Sequence, residues 1–397
     1  MFLHIVKQSE YLHDICNKPY LVYTNTGDTE QLTPYEKFDW SILNTKVFAT
    51  DLLYLKYLGI NLPDVEDLGF IRYYLTNKAV KKNQIQLETF YRNLYPNIKK
   101  TNLLLPDSFI LDNCRQMYEQ NKSLFADNVS QFYKKQLDIF YKIESNGIMY
   151  GNDILYSKYN FFTTTGRPSS RFGGINFAAL NKKDGSRNKI KSKYEDGILV
   201  EVDFQSYHPR LIADLIGYNI QDNTDVYEYF AKYYYKTDSP TKEQVKLAKD
   251  ETFRRLYSRS QQTDDIPYFD QMRNYVHDLW SRFNKQKQIE TPVSGRSLFY
   301  DNYDSMNEST LFNYMIQLTE TERNISMLHN NPLLDNIILY IYDAILLDIK
   351  HDKLESTVEL INNTVATSKY PVKIKVGSNY GEMQVWSEKG IFIGNSD

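Results

Sequence analysis

Residues 197–210 read GILVEVDFQSYHPR, and the fold turns on how that stretch is read. Ile198 to Val202 form an apolar run rich in β-branched residues, which predicts a buried strand. The run delivers one carboxylate, Asp203, at its end. A second apolar run, residues 337–349 (IILYIYDAILLDI), carries Asp343 in its middle. A carboxylate inside such a run is costly to bury unless it is paired or bound to a metal. We read 337–349 as a strand pair with Asp343 at or near its turn. The two aspartates are then expected to meet and hold two divalent metals. Metals ~4 Å apart can neutralise both the attacking and the leaving oxygen of a phosphoryl transfer. Taken singly, an Asp in an exposed hairpin turn is common for turn chemistry alone.

Between the two runs, residues 241–259 predict a helix, with Ser239-Pro240 as its start signal. Lys246, Lys249, Phe253 and Tyr257 are spaced 3, 4 and 4, so they share one face. Two cations followed by two rings suit a nucleoside triphosphate, the cations for phosphates and the rings for the base. The plainer alternative is an amphipathic helix with Phe253 in a core. Upstream, residues 163–180 (TTTGRPSSRFGGINFAAL) read as a loop that carries Arg167 and Arg171. Residues 181–193 (NKKDGSRNKIKSK) add Lys182, Lys183, Arg187, Lys189, Lys191 and Lys193 against one Asp184. Alone this is a solvated charge run. Beside the two arginines it becomes a candidate phosphate-facing surface.

The rest of the chain supplies the frame. Residues 20–23 predict a short strand, 45–60 a strand-to-helix unit closed by Gly59, and 67–75 a further helix. Residues 129–143 have a clear helical period ending at Asn146-Gly147. Residues 151–164 are expected to be a connection. Helices are expected from Pro209 to Gly217, over 268–283 and over 308–328, a turn at Ser294-Gly295-Arg296, and short strands at 372–376 and 383–386. The 397 residues are enough for two or three domains. Net charge is −3, so this is not a uniformly basic nucleic-acid binder. With two cysteines there is no disulfide framework and no zinc-ligand cluster. The polar interruptions His4, Lys7, Glu10 and Asp14 argue against a signal peptide, and no apolar run is long enough to span a bilayer. A cytoplasmic protein is the expectation.

In order and character these stretches resemble the family-A, DNA polymerase I-like, DNA polymerases. Residues 165–170 (TGRPSS) resemble that family's TGR-x-SS loop, and Asp203 to Arg210 its motif A, DYSQIELR, matching at Asp203, Phe204 and Arg210. Lys249-x3-Phe253-x3-Tyr257 is similar to motif B, and Asn313-x3-Gln317 to the stretch that precedes motif C. Tyr342-Asp343-Ala344 resembles motif C, His-Asp-Glu. The match covers about residues 128–390. It implies a right-hand polymerase domain over 128–397, with an antiparallel palm sheet and helical fingers. It also implies that Asp203 and Asp343 hold two Mg²⁺ ions, with Mn²⁺ a possible substitute. Lys249 and Lys246 would bind the triphosphate, Phe253 and Tyr257 would flank the nascent base pair, and Tyr227 would lie near the phosphates. Arg210 and His208 would belong to the nucleotide site. Arg167, Arg171, Asn176, Arg187 and Gln317 would touch primer–template DNA. Partners would be primer–template, dNTPs and a processivity or replisome accessory protein.

The sequence also departs from the pattern. His208 stands where DNA-making members carry a Glu beside the incoming sugar. Tyr342 and Ala344 replace the His and Glu of motif C. The short interval from Ile148 to Thr165 leaves little room for thumb helices, so the thumb is expected to be much reduced. Residues 1–127 resemble an RNase H-like 3′–5′ exonuclease domain, with Thr50-Asp51-Leu52, Leu58-Gly59-Ile60 and Asp67 like its second motif. No Asp-x-Glu follows the strand at 20–23, so a retained fold without nuclease chemistry is expected. The expected activity is template-directed DNA synthesis without proofreading. Alternatives are an RNA polymerase or primase-like enzyme, for which His208 speaks, and a catalytically inactive nucleic-acid-binding replisome subunit. Compact size and a Tyr-, Asn- and Lys-rich composition suggest a bacteriophage source.

Overall fold

The computed structural model describes residues 2–6, 20–24, 30–34, 46–49, 52–60, 62, 64–76, 119, 122, 127–170, 175–181, 184–222, 224–257, 266–303, 305–387 and 390–391. Strands β1 (Phe2–Val6), β2 (Tyr20–Thr24), β3 (Glu30–Pro34), β4 (Val47–Ala49) and β5 (Val65–Asp67) form one sheet in the order β3-β2-β1-β4-β5. β1 runs antiparallel to β2 and parallel to β4, and β4 is parallel to β5. Of these, the sequence pointed to β2 and β4. The central strand β1 falls at Phe2–Val6, where His4 obscures an otherwise apolar run and Leu3 is fully buried. Helices α1 (Leu52–Tyr57) and α2 (Leu68–Thr76) follow β4 and β5. Asp67 starts α2 by accepting the Phe70 N–H at 2.9 Å, and its other oxygen accepts the Leu52 N–H of α1 at 3.0 Å.

Helix α3 (Asp127–Asn146) is the spine of the molecule. It buries Val129, Tyr133, Leu137, Phe140 and Ile143 at helical spacing. Phe70 of α2 stacks on Tyr133 at 3.8 Å, while Phe140 packs edge-on against Tyr340 at 5.4 Å. One continuous core therefore joins the N-terminal sheet, α3 and the large central sheet. The helix stops at Gly147, at φ +67°, where a Cβ would meet Ile154 at 2.8 Å. The stretch expected as a connection is instead a hairpin, β6 (Ile148–Tyr150) and β7 (Asp153–Leu155), extended by β8 (Ile190–Lys191) in the order β7-β6-β8.

The central sheet contains β9 (Gly197–Phe204), β12 (Ile337–Ile341), β13 (Ala344–Lys350), β14 (Val372–Gly377), β15 (Gln384–Ser387) and β16 (Gly390–Ile391), in the order β12-β13-β9-β14-β15-β16, antiparallel throughout. β9 is central. Its alternation sends Ile198, Val200, Val202 and Phe204 into the α3 core, and Leu199 into a second core with Ile190, Leu346 and Tyr380. Burial on both faces explains why the run reads as continuously apolar.

Beyond β9 the chain becomes helical. Helices α4 (Tyr207–Ile216), α5 (Val226–Tyr235), α6 (Lys242–Tyr257) and α7 (Pro267–Gln286), hairpin β10 (Gln288–Glu290)–β11 (Ser297–Phe299) and helix α8 (Glu308–Leu328) surround a third core, with Ile212, Phe230, Leu256, Tyr268 and Phe283 at its centre. Helix α8 crosses between cores: Leu311, Met315 and Leu318 belong to the helical one, Ile325 and Leu328 to the α3 core. Helix α9 (Leu354–Thr364) completes the fold. No helix among the described residues is long and apolar enough to cross a membrane.

Candidate active site

Register places the two carboxylates together. Asp203 pairs with Ala344 across β9 and β13, and the N–H of Phe204 donates to the carbonyl of Asp343 at 2.9 Å. Asp343 and Tyr342 form the two-residue turn between β12 and β13, and Tyr342 sits at φ +60°. Ser206, three residues after Asp203, is also left-handed, at φ +52°. Left-handed backbone at residues with side chains is strained and clusters at functional sites. Asn324 of α8 holds the turn by donating to the Tyr342 carbonyl at 2.8 Å.

Asp343 is an exposed residue, yet the surrounding protein partly desolvates its side chain. That burial, then the like charges of Glu320 and Asp203, raises its pKa above the usual carboxylate value. A bound cation would relieve the like-charge part of that shift. Lys375 of β14 lies 3.6 Å from Asp203 and also pairs with Glu201. Nothing in the sequence pattern pointed to this lysine's place.

Helix α6 faces these groups. It opens with a reciprocal cap: Thr241 N–H donates to Gln244 Oε1 at 2.8 Å, and Gln244 N–H to Thr241 Oγ1 at 3.2 Å. Ala248, Thr252 and Leu256 form its buried stripe. Lys249, Phe253 and Tyr257, each one position on, lie on an open face, the two rings 37% and 41% exposed. These rings stack at 6.3 Å, Phe253 lies 6.3 Å from the Tyr227 ring of α5, and Lys249 Nζ sits 5.7 Å over that same ring. Asp225 orients Tyr227 by capping α5, accepting its N–H at 2.8 Å. Burial, with smaller contributions from Asp225, Asp343 and Asp203, pushes the Tyr227 phenol up to about 12. The charge of both aspartates is thus felt at the α5–α6 surface. Lys246 is exposed on the same helix.

At the floor lies Glu320 of α8, fully buried where the two cores meet. Arg167 Nη2 donates to its Oε1 at 3.0 Å, and the Arg167 guanidinium stacks on the Tyr342 ring at 3.8 Å. His208 Nε2 lies 3.3 Å from the same Oε1, while His208 Nδ1 is bonded to the Tyr257 hydroxyl. The sequence reading missed Glu320. The signal was present: Phe312, Ile316, Glu320 and Asn324 recur every four residues on a buried stripe, and an acid there needs partners.

Other expected residues lie elsewhere. Arg210 is only 3% exposed, and its guanidinium donates to the carbonyls of Lys369 at 3.0 Å and Thr224 at 2.6 Å. Two positions beyond His208, it is turned ~200° around α4. It ties the helix to two loops. Gln317 donates to Asn313 at 3.0 Å, within its own helix, and Glu320, not Gln317, reaches Arg167. Asn176 accepts from Ser170 at 3.0 Å. Arg187 donates from Nε to the Leu180 carbonyl at 2.9 Å and stacks on Tyr380 at 4.5 Å, so it is partly committed to holding its loop. Arg171 lies outside the described residues.

The donor set suits a hard cation. Asp203 and Asp343 offer carboxylate oxygens from neighbouring strand ends, and no group of three or more His, Cys, Asp or Glu ligands occurs among the described residues. Mg²⁺ bound through one or two carboxylates, with waters and substrate phosphates completing its shell, needs no more than this.

No family model matches the chain, and no curated protein matches it. Among solved structures it is similar to the POL domain of Pol1 from M. smegmatis, determined in complex with DNA primer-template and dNTP. The TM-score is 0.70 at 13% identity, covering 96% of this chain and 95% of that one. At that identity the likeness is one of fold: this chain has the fold of a bacterial Pol I polymerase domain.

Proposed function

We propose that this protein is a template-directed DNA polymerase that adds dNTPs to a primer 3′-OH. The observation that carries the proposal is the convergence of Asp203 and Asp343 on adjacent strands opposite the Lys249–Phe253–Tyr257 face. The polymerase-domain fold supports it. Asp203 and Asp343 would hold two Mg²⁺ ions, which when bound supply charge neutralisation at the attacking and leaving oxygens. Lys249, with Lys246, meets the triphosphate. Phe253 and Tyr257 offer ring faces to the base. Arg167 and the basic segment around Arg187 and Lys189 face the primer–template backbone. Primer extension by the purified protein, with the Asp203→Asn plus Asp343→Asn protein as control, tests this. Equal extension by both proteins would end the assignment.

Two finer readings accompany it. The β6–β7 hairpin fills the interval where thumb helices are expected, which supports a reduced thumb, low processivity and a dependence on an accessory protein. For residues 1–127, the sheet order β3-β2-β1-β4-β5 supports an RNase H-like, exonuclease-derived unit. Its Asp67 carboxylate is already engaged by two backbone N–H groups, which supports an absence of proofreading. Thr50 and Asp51 lie outside the described residues.

A further inference from the structure

Glu320 is a buried charge that two-metal chemistry does not use. A buried ion pair is a weak source of stability, because desolvation offsets most of its attraction. Its position is more telling than its energy. Oε1 takes the Arg167 guanidinium from one side and His208 Nε2 from the other. His208 Nδ1 is in turn bonded to the Tyr257 hydroxyl, whose pKa is raised by burial, so that the phenol keeps its proton. Both ring nitrogens of His208 are therefore engaged, and the imidazole cannot turn without breaking a hydrogen bond.

The parts of a nucleotide locate this ring. Triphosphate at Asp203 and Asp343, and base on Phe253 and Tyr257, leave the sugar between. His208 stands on the first turn of α4, five residues beyond Asp203, in contact with Tyr257. A 2′-hydroxyl brought against it would lose water and find neither ring nitrogen free. Such an unpaired polar group is disfavoured.

We propose that Glu320 is a positioning residue that clamps His208 against Tyr257 and so makes the site select deoxyribose over ribose. The proposal rests on the polymerase reading above. Without Glu320, Nε2 is free to meet a 2′-hydroxyl, or the ring to move aside.

The test is the ratio of kcat/KM for dNTP to that for rNTP on one primer–template. It compares the wild type with Glu320→Met, Glu320→Gln and His208→Ala. Preference for dNTP is expected in the wild type. In Glu320→Met the ratio falls at least about tenfold, and His208→Ala falls similarly. Glu320→Gln, which keeps an acceptor, retains most of it. A general loss of structure lowers both substrates together and leaves the ratio unmoved. Should Glu320→Met not fold, His208→Ala, whose side chain reaches the surface, carries the test. A wild type without preference for dNTP, or a ratio within about twofold of wild type in either a folded Glu320→Met or His208→Ala, overturns the clamp alone. A wild type that incorporates neither nucleotide overturns the polymerase reading, and the clamp with it.

Discussion

The backbone N–H of Phe204 donates to the carbonyl of Asp343 at 2.9 Å. This bond ends the β9–β13 ladder and fixes Asp203 and Asp343 as neighbours. A slip of one residue would turn Asp203 to the other face of the sheet. The carboxylates are held by main chain, so replacing either side chain leaves the scaffold in place. Asp203→Asn and Asp343→Asn are each expected to lower single-turnover primer extension on the order of 10³-fold or more, the scale of losing a charge-stabilising group in phosphoryl transfer. Circular dichroism should remain that of the wild type. Lys375 keeps Glu201 as partner when Asp203 is neutralised.

Cation binding is expected without DNA. Like charge from Glu320 and Asp203 acts on Asp343, and a divalent ion relieves it. Titration with Mn²⁺, followed by electron paramagnetic resonance, should show binding to the wild type and none to the double Asn protein. At 100 times Kd the ion should stabilise the wild type by about 2.7 kcal/mol. Equal Mn²⁺ binding by both proteins would place the site elsewhere.

Phe253 is exposed, and its ring lies against the Tyr227 and Tyr257 rings of the cleft wall. Phe253→Ala is therefore expected to change the melting temperature little. It should raise KM for dNTP about tenfold through lost stacking, which is worth ~1–3 kcal/mol per base. Lys249→Met should lower kcat/KM by a similar or larger factor, because its charge faces developing negative charge. A Phe253→Ala protein that melts much lower with unchanged KM would mean that this ring serves packing.

Much of this site was legible because strands and helices write their periods into sequence. The runs around Asp203 and Asp343 are apolar on both faces, so each carboxylate stood out. The spacing of Lys249, Phe253 and Tyr257 fixed a common helix face whatever the tertiary setting. Tertiary partners were not legible. Arg210 reads as a cation near a carboxylate, and only the packing of α4 against the Lys369 and Thr224 loops turns it inward. Glu320 differs from its exposed counterparts only through the arginine and histidine that reach it from distant segments. Short edge elements such as β6 to β8 have too few residues to show a period.

Helix α6 carries its own pH signature. Glu251 accepts from Arg254 Nε at 2.8 Å and Nη2 at 2.6 Å, and from Arg255 Nε at 2.6 Å. The Arg254 bonds, ahead of those from Arg255 and against a desolvation cost, hold its pKa at about 2. A depressed carboxylate stabilises the fold above its unfolded pKa, ~4.3, and that contribution fades as pH falls towards about 2. The cluster is partly open to solvent, so the gain at neutral pH is discounted to ~1 kcal/mol. Glu251→Gln should cost that much in urea denaturation at pH 7, and the gap to wild type should close near pH 2. A gap that stays constant with pH would mean that the side chain acts by packing.

The last relationship ties stability to the active site through Asn324, which is only 1% exposed. Its Oδ1 accepts from the Tyr207 hydroxyl at 2.6 Å, and its Nδ2 donates to the Tyr340 hydroxyl at 3.0 Å and the Tyr342 carbonyl at 2.8 Å. One amide thus fastens α4, β12 and the strained turn that presents Asp343. Asn324→Ala leaves two hydroxyls, of Tyr207 and Tyr340, and the Tyr342 carbonyl without this partner, and is expected to cost ~2–4 kcal/mol. Asn324→Asp keeps the acceptor for Tyr207 but sets a carboxylate against the Tyr342 carbonyl, and should be worse despite its matched size. Both should lose primer extension at temperatures where urea curves show them folded, since the φ +60° backbone at Tyr342 then lacks its tether. An Asn324→Ala protein destabilised by that amount, yet extending primers at the wild-type rate when folded, would show that the ladder bond from Phe204 alone positions Asp343.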